Sequence, residues 1–165
     1  MRKGFTMIEL IFVIVILGVL ASVAIPRLAA TRDDAEVAKA ATNLTTAVSD
    51  ITAYYTAKGH FKDSKSVQIT DFTKLTNALA KDGKLYVKGK QECVAVTLPT
   101  AATTASGKVE LTLTFNSNTN ADAVCKQLSK LPGILTMCGK GGGTGSSQVT
   151  GDCKIQIGGS GGIQF

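Results

Sequence analysis

Hydrophobic positions along this chain follow three different periods. Residues 10–25 form an uncharged apolar run, and with Phe5, Met7 and Ile8 upstream the run covers 5–25, interrupted by one acid, Glu9. A helix needs about 20 such residues to cross a bilayer core. Beyond Pro26 the pattern changes: Val37, Ala41, Leu44, Val48, Ile51 and Tyr55 recur three or four positions apart, and no Gly or Pro interrupts 27–58. This spacing predicts an amphipathic helix with one buried stripe. One helix over 5–57, ended by Gly59 and His60, would be about 80 Å long at 1.5 Å per residue. Half of it would then project from any domain of this size.

The third pattern is alternation. Val109, Leu111, Leu113 and Phe115 alternate with Glu110, Thr112 and Thr114, which predicts a strand with one buried and one wet face. Further strands are expected over 84–88 and 93–98, joined by a turn at Gly89-Lys90, and over 153–157. Phe72, Leu75 and Leu79 predict a short helix over 71–81 capped by Thr70 or Asp71. A second short helix is expected over 121–131, stopping at Pro132-Gly133.

A length of 165 residues allows one ordinary domain plus one long extra element, and leaves no room for two catalytic domains. An apolar content of 44% excludes a disordered chain, and the 17 Gly lack a collagen period. The net charge of +6 suits nucleic acid or an anionic membrane surface. Against that, no basic block exceeds Arg2-Lys3, and the lysines over 58–90 are interspersed with Asp63, Asp71 and Asp82. A solvated face explains them, and nucleic acid stays a weakly supported partner.

Catalytic chemistry has few carriers here. His60 is the single histidine and sits at the expected helix end, Asp63, Asp71 and Asp82 are isolated, and no Asp-x-Asp calcium loop occurs. The Gly-rich stretch 139–145 lacks the spacing and the strand-to-helix context of a phosphate cradle. No enzyme, cofactor or metal site is expected. Cys93, Cys125, Cys138 and Cys153 include no CxxC pair, and four widely spaced cysteines behind a membrane-targeting N-terminus fit disulfides in an oxidising compartment.

Three readings compete for the N-terminal segment. A cleaved secretory signal fits Arg2 and Lys3, the apolar core and the small residues Ser22 and Ala24, yet gains nothing from Glu9. A plain anchor leaves Glu9 as an unexplained cost, since a charge at the centre of a spanning helix costs about 2.5–3.5 kcal/mol on insertion scales and less near the interface. The third reading explains the acid. The order Lys3-Gly4-Phe5-Thr6-Met7-Ile8-Glu9-Leu10, followed by the apolar run and Pro26, resembles the N-terminus of type IV prepilins and of the pseudopilins of type II secretion systems.

That resemblance implies an α+β, pilin-like fold: a long N-terminal helix, membrane-spanning in its first half, packed on a small antiparallel sheet, with a Gly-rich C-terminal loop. It implies a leader of residues 1–4, cleavage by a prepilin peptidase between Gly4 and Phe5, and N-methylation of Phe5. Glu9 would be the carboxylate that offsets the free amine of a neighbouring subunit, and Pro26 a helix kink. The segment 5–25 would anchor the chain in the inner membrane and then form the filament core, with 58–165 as a periplasmic or extracellular domain. Arg2 and Lys3 favour a cytoplasmic N-terminus, although Arg27 and Arg32 weaken the asymmetry. Implied partners are further copies or minor pilins, the peptidase and an inner-membrane assembly platform. The implied function is a pilus subunit in adhesion, motility or DNA uptake, with a secretion pseudopilin as the alternative. In pilins a C-terminal disulfide often closes a loop, which here implies Cys138 with Cys153; all three pairings of the four cysteines stay open.

Overall fold

A computed structural model describes residues 4–100, 107–118, 120–139 and 148–159, and omits the side chains of 26–30. The element order is α1 (Met7–Lys58), a 3-10 turn (Phe72–Lys74), β1 (Lys84–Val87), β2 (Gln91–Thr97), β3 (Val109–Phe115), α2 (Ala123–Leu128), α3 (Pro132–Met137) and β4 (Gly151–Gly158). The chain divides into two units, Met1–Ala35 and Glu36–Phe165, and α1 contributes to both.

In the first unit, Met7–Ile25 is a helical stretch of 19 residues long and apolar enough to cross a membrane. At 1.5 Å per residue it is about 29 Å long, close to the thickness of a hydrocarbon core. None of its side chains is buried within the chain. Pro26, expected to kink the helix, belongs to the stretch 26–30, whose side chains lie outside the described residues.

The second unit is built on an antiparallel sheet in the order β1-β2-β3-β4. Val109, Leu111, Leu113 and Phe115 point into the core, while Glu110, Thr112 and Thr114 face outward, as alternation requires. Opposite charges stud the outer face: Lys84 Nζ lies 2.7 Å from Glu92 Oε2 and Lys154 Nζ 3.7 Å from Glu110 Oε2. A bulge opposite Leu85 and Tyr86 shifts the β1–β2 register, so that Tyr86 pairs with Glu92 and Leu85 with Val94. The extra residue, Cys93, is thereby turned inward beside Val94, and both are buried.

From α1 the core receives Val37, Ala40, Leu44, Ala47 and Ile51. Ala41, Val48 and Tyr55, expected in the stripe, flank it and are partly buried. Ala40 and Ala47 are buried instead, so the buried line runs one position to the side of the bulkier residues. The helix ends where expected, with Gly59 N–H donating to Tyr55 O at 2.7 Å.

Two expected helices differ. Over 71–81 only the turn Phe72–Lys74 is helical, although Phe72, Leu75 and Leu79 are all buried. Asp71 caps the turn as expected, its Oδ1 accepting from Thr73 N, but beyond Leu75 the backbone is taken elsewhere: Thr76 Oγ1 accepts from Ala78 N while donating to Asp50 Oδ2 of α1. Over 121–131, α2 stops at Leu128, and Pro132 does not end a helix but begins α3 at its first position. Proline forces the preceding Leu131 to extended geometry (ψ 132°) and is preorganised for a helix start.

Candidate functional site

The N-terminal segment is the first candidate. Thr6 and Glu9 form a reciprocal capping box at the start of α1: Glu9 Oε2 accepts from Thr6 N at 2.9 Å and from Thr6 Oγ1 at 2.6 Å, and Glu9 N donates to Thr6 Oγ1 at 3.4 Å. Leu10 N donates to Thr6 O at 3.3 Å, the first bond of the helical ladder. The carboxylate is therefore not an orphan at the edge of the apolar helix. Two donors of its own chain hold it on the turn that follows Phe5. Sequence reasoning passes over Thr6, although Thr-x-x-Glu ahead of an apolar run is the signature of this cap.

Gly4 and Phe5 precede the helix and are exposed, Phe5 at 85%. An accessible, non-helical peptide is what a protease requires, and Gly4 offers no side chain to block approach to the bond that follows it. From Met7 to Ile25 the apolar side chains stay exposed in the isolated chain, Leu10 at 56% and Val19 at 63% among them. A continuous apolar surface of this size marks a membrane or protein contact.

The cysteines lie in the second unit. Cys93 pairs with Cys125 and Cys138 with Cys153, and no free cysteine is present. The first bond ties the β2 bulge to α2, and the second ties the end of α3 to β4. Ahead of β4, Val149 is fully buried and its N–H donates to Ser129 O at 2.9 Å, which fixes the return of the chain. The Gly-rich residues 140–147 lie outside the described residues. His60 is exposed, and its Nδ1 accepts from Lys62 N at 3.2 Å, a turn contact. Among the described residues no three His, Cys, Asp or Glu side chains are grouped to hold a metal ion.

Residues 1–25 match the family described as the prokaryotic N-terminal methylation motif. This motif is characteristic of type IV pilins and pseudopilins, which are structural rather than enzymatic proteins. No curated protein and no solved structure matches the chain. The motif together with the single apolar N-terminal helix supports single-pass membrane anchoring, and the motif implies processing by a prepilin peptidase.

Proposed function

We propose that this chain is the structural subunit of a type IV pilus-like filament. The observation that carries the reading is the methylation motif over 1–25 lying on an apolar helix that has no packing partner within its own chain. Cleavage after Gly4 converts the Phe5 nitrogen from an amide to an amine, which is then methylated. Before assembly 7–25 is solvated by lipid; on assembly it exchanges lipid for equally apolar helices, so extraction removes no net hydrophobic contact.

Glu9 supplies the register. Held by Thr6 on the turn after Phe5, its carboxylate faces the amine of a neighbouring subunit, and a subunit docked in the wrong register leaves a hydrogen-bonded carboxylate without a counter-charge in apolar surroundings. Repetition of one heterologous contact gives an open helix rather than a closed ring. The second unit is carried in the periplasm and then on the filament surface, where its two disulfides suit an oxidising medium. Two disulfides and a Gly-rich C-terminal region favour a pilus over a type II secretion pseudopilus, the alternative, in which the same polymer drives protein export.

The test is the N-terminal sequence and intact mass of the protein from its native membrane, with and without reductant. The expected chain begins at methylated Phe5 and gains mass on reduction. A chain retaining Met1, or beginning near Ile25, overturns the reading. Surface filaments distinguish the pilus from the pseudopilus, and Glu9→Gln, expected to abolish assembly with insertion intact, tests the charge pairing.

A further inference from the structure

Glu9 is the third residue of α1, and residues 10–25 beyond it carry no charge. A carboxylate beside such a segment is costly unless hydrogen bonds or a counter-charge meet it. In the uncut chain the Phe5 nitrogen is a peptide amide, so the amine that is to pair with Glu9 does not yet exist. Among the described residues the carboxylate takes its hydrogen bonds from Thr6, and takes them on one oxygen: Thr6 N and Thr6 Oγ1 both donate to Oε2, at 2.9 and 2.6 Å. The hydroxyl bond is the shorter, within the range of charge-assisted contacts between a hydroxyl and a carboxylate. Oε1 takes no hydrogen bond among the described residues.

The hydroxyl also works in the other direction. Glu9 N donates to Thr6 Oγ1 at 3.4 Å, so one side chain fixes both the carboxylate and the first turn that carries it. None of the atoms in this box belongs to residues 1–4 or is the Phe5 nitrogen, and a cut after Gly4 leaves the box whole. The arrangement that satisfies the carboxylate in the precursor is therefore still in place when the amine appears. Without the hydroxyl the carboxylate would keep Thr6 N alone, and its rotamer freedom would have to be lost at the moment of docking.

We propose that Thr6 is the positioning residue of the subunit contact: its hydroxyl holds Oε2 of Glu9 before and after the cut, and leaves Oε1 as the oxygen that accepts from the methylated amine of a neighbouring copy. This inference rests on the filament reading and adds to it the residue that aims the carboxylate. One carboxylate then serves two partners, one oxygen each, and no hydrogen bond is exchanged on docking. Valine has the shape of threonine, keeping its methyl and losing its hydroxyl, whereas serine keeps the hydroxyl and loses the methyl. A hydroxyl that aims Glu9 and a methyl that packs against a neighbour thus predict opposite orders for the two substitutions.

The test expresses full chains carrying Thr6→Val or Thr6→Ser in the native cell. It reads the intact mass of the membrane fraction, the yield of assembled filaments, and the infrared carboxylate band that Glu9→Gln removes from the processed subunit in detergent. Both variants are expected to insert and to begin at methylated Phe5. Thr6→Val is expected to lower the filament yield about tenfold, the factor that one hydrogen bond to a charged group supplies, and to shift the carboxylate band. Thr6→Ser is expected to match the wild type in both. A wild-type yield from Thr6→Val, a loss in Thr6→Ser as large as in Thr6→Val, a band that Thr6→Val leaves unmoved, or accumulation of uncut Thr6→Val chains overturns the proposal. A wild-type chain that retains Met1 or forms no filaments in the same preparation overturns the filament reading itself, and this inference with it.

Discussion

At Gly83 the backbone has φ +76°, and a Cβ built there would lie 2.6 Å from Cε2 of Phe72, a buried ring. Two separate costs meet: a left-handed conformation, about 1–2 kcal/mol for an L side chain, and overlap with a packed ring, about 1–3 kcal/mol. Gly89 has nearly the same φ, +78°, but open space around it. Gly83→Ala is therefore expected to lower unfolding free energy by about 2–5 kcal/mol and Gly89→Ala by about 1–2 kcal/mol. Chemical denaturation of both variants checks this, and equal losses would show that Phe72 yields. Nearby, Asp71 illustrates a polar residue acting through the backbone. Hydrogen bonds from Thr73 hold its carboxyl below the ordinary value, opposed by desolvation and aided by Lys81. A lowered folded value means that the stabilisation is present above the unfolded pKa, about 4, and is lost as pH falls through the folded value. The stability difference between wild type and Asp71→Asn should be constant near neutrality and shrink below about pH 4. A difference independent of pH would remove the ionised carboxylate from the explanation.

Between elements, the two disulfides act on loops of different length. Cys93–Cys125 spans 32 positions and Cys138–Cys153 spans 15. Loop-closure entropy alone assigns about 4 and about 3 kcal/mol to them. Packing widens the gap, because Cys93 and Cys125 are both buried whereas Cys138 is only partly so. Replacing the first pair by serine is expected to cost more than replacing the second, read as the shift in denaturation midpoint; the reverse order would mean that the Cys138–Cys153 bond holds the sheet edge. Sequence patterning speaks clearly about β3, whose seven residues alternate without exception, and about the extent of α1. It misleads over 71–81, where Phe72, Leu75 and Leu79 are spaced as on a helix but reach the core from an irregular segment held by Asp71 and Thr76. Ala40 and Ala47 escape notice because alanine carries little hydrophobic signal, yet both are buried in the core. The methylation motif is legible because its residues are consecutive.

On the scale of the molecule, α1 presents two hydrophobic surfaces to two different surroundings. Val37, Ala40, Leu44, Ala47 and Ile51 are consumed by the core of Glu36–Phe165, while no side chain of Met7–Ile25 is buried at all. Among the described residues, the buried core of the second unit begins at Val37. Cutting ahead of Arg32 would leave a helix that starts with Asp33, Asp34 and Glu36 in or next to its first turn, where acids favour the positive end of the helix dipole. A fragment of residues 32–165 is accordingly expected to be soluble without detergent, to form both disulfides and to unfold in one cooperative transition. Its near-ultraviolet circular dichroism should match that of the full chain. It should also fail to enter filaments when supplied beside the full chain, because it lacks the segment proposed to contact neighbours. A fragment that aggregates or lacks cooperative unfolding would show that the first unit supports the second. One that folds and still co-assembles would move the assembly contact from the apolar helix to the second unit, and with it the role proposed for Glu9.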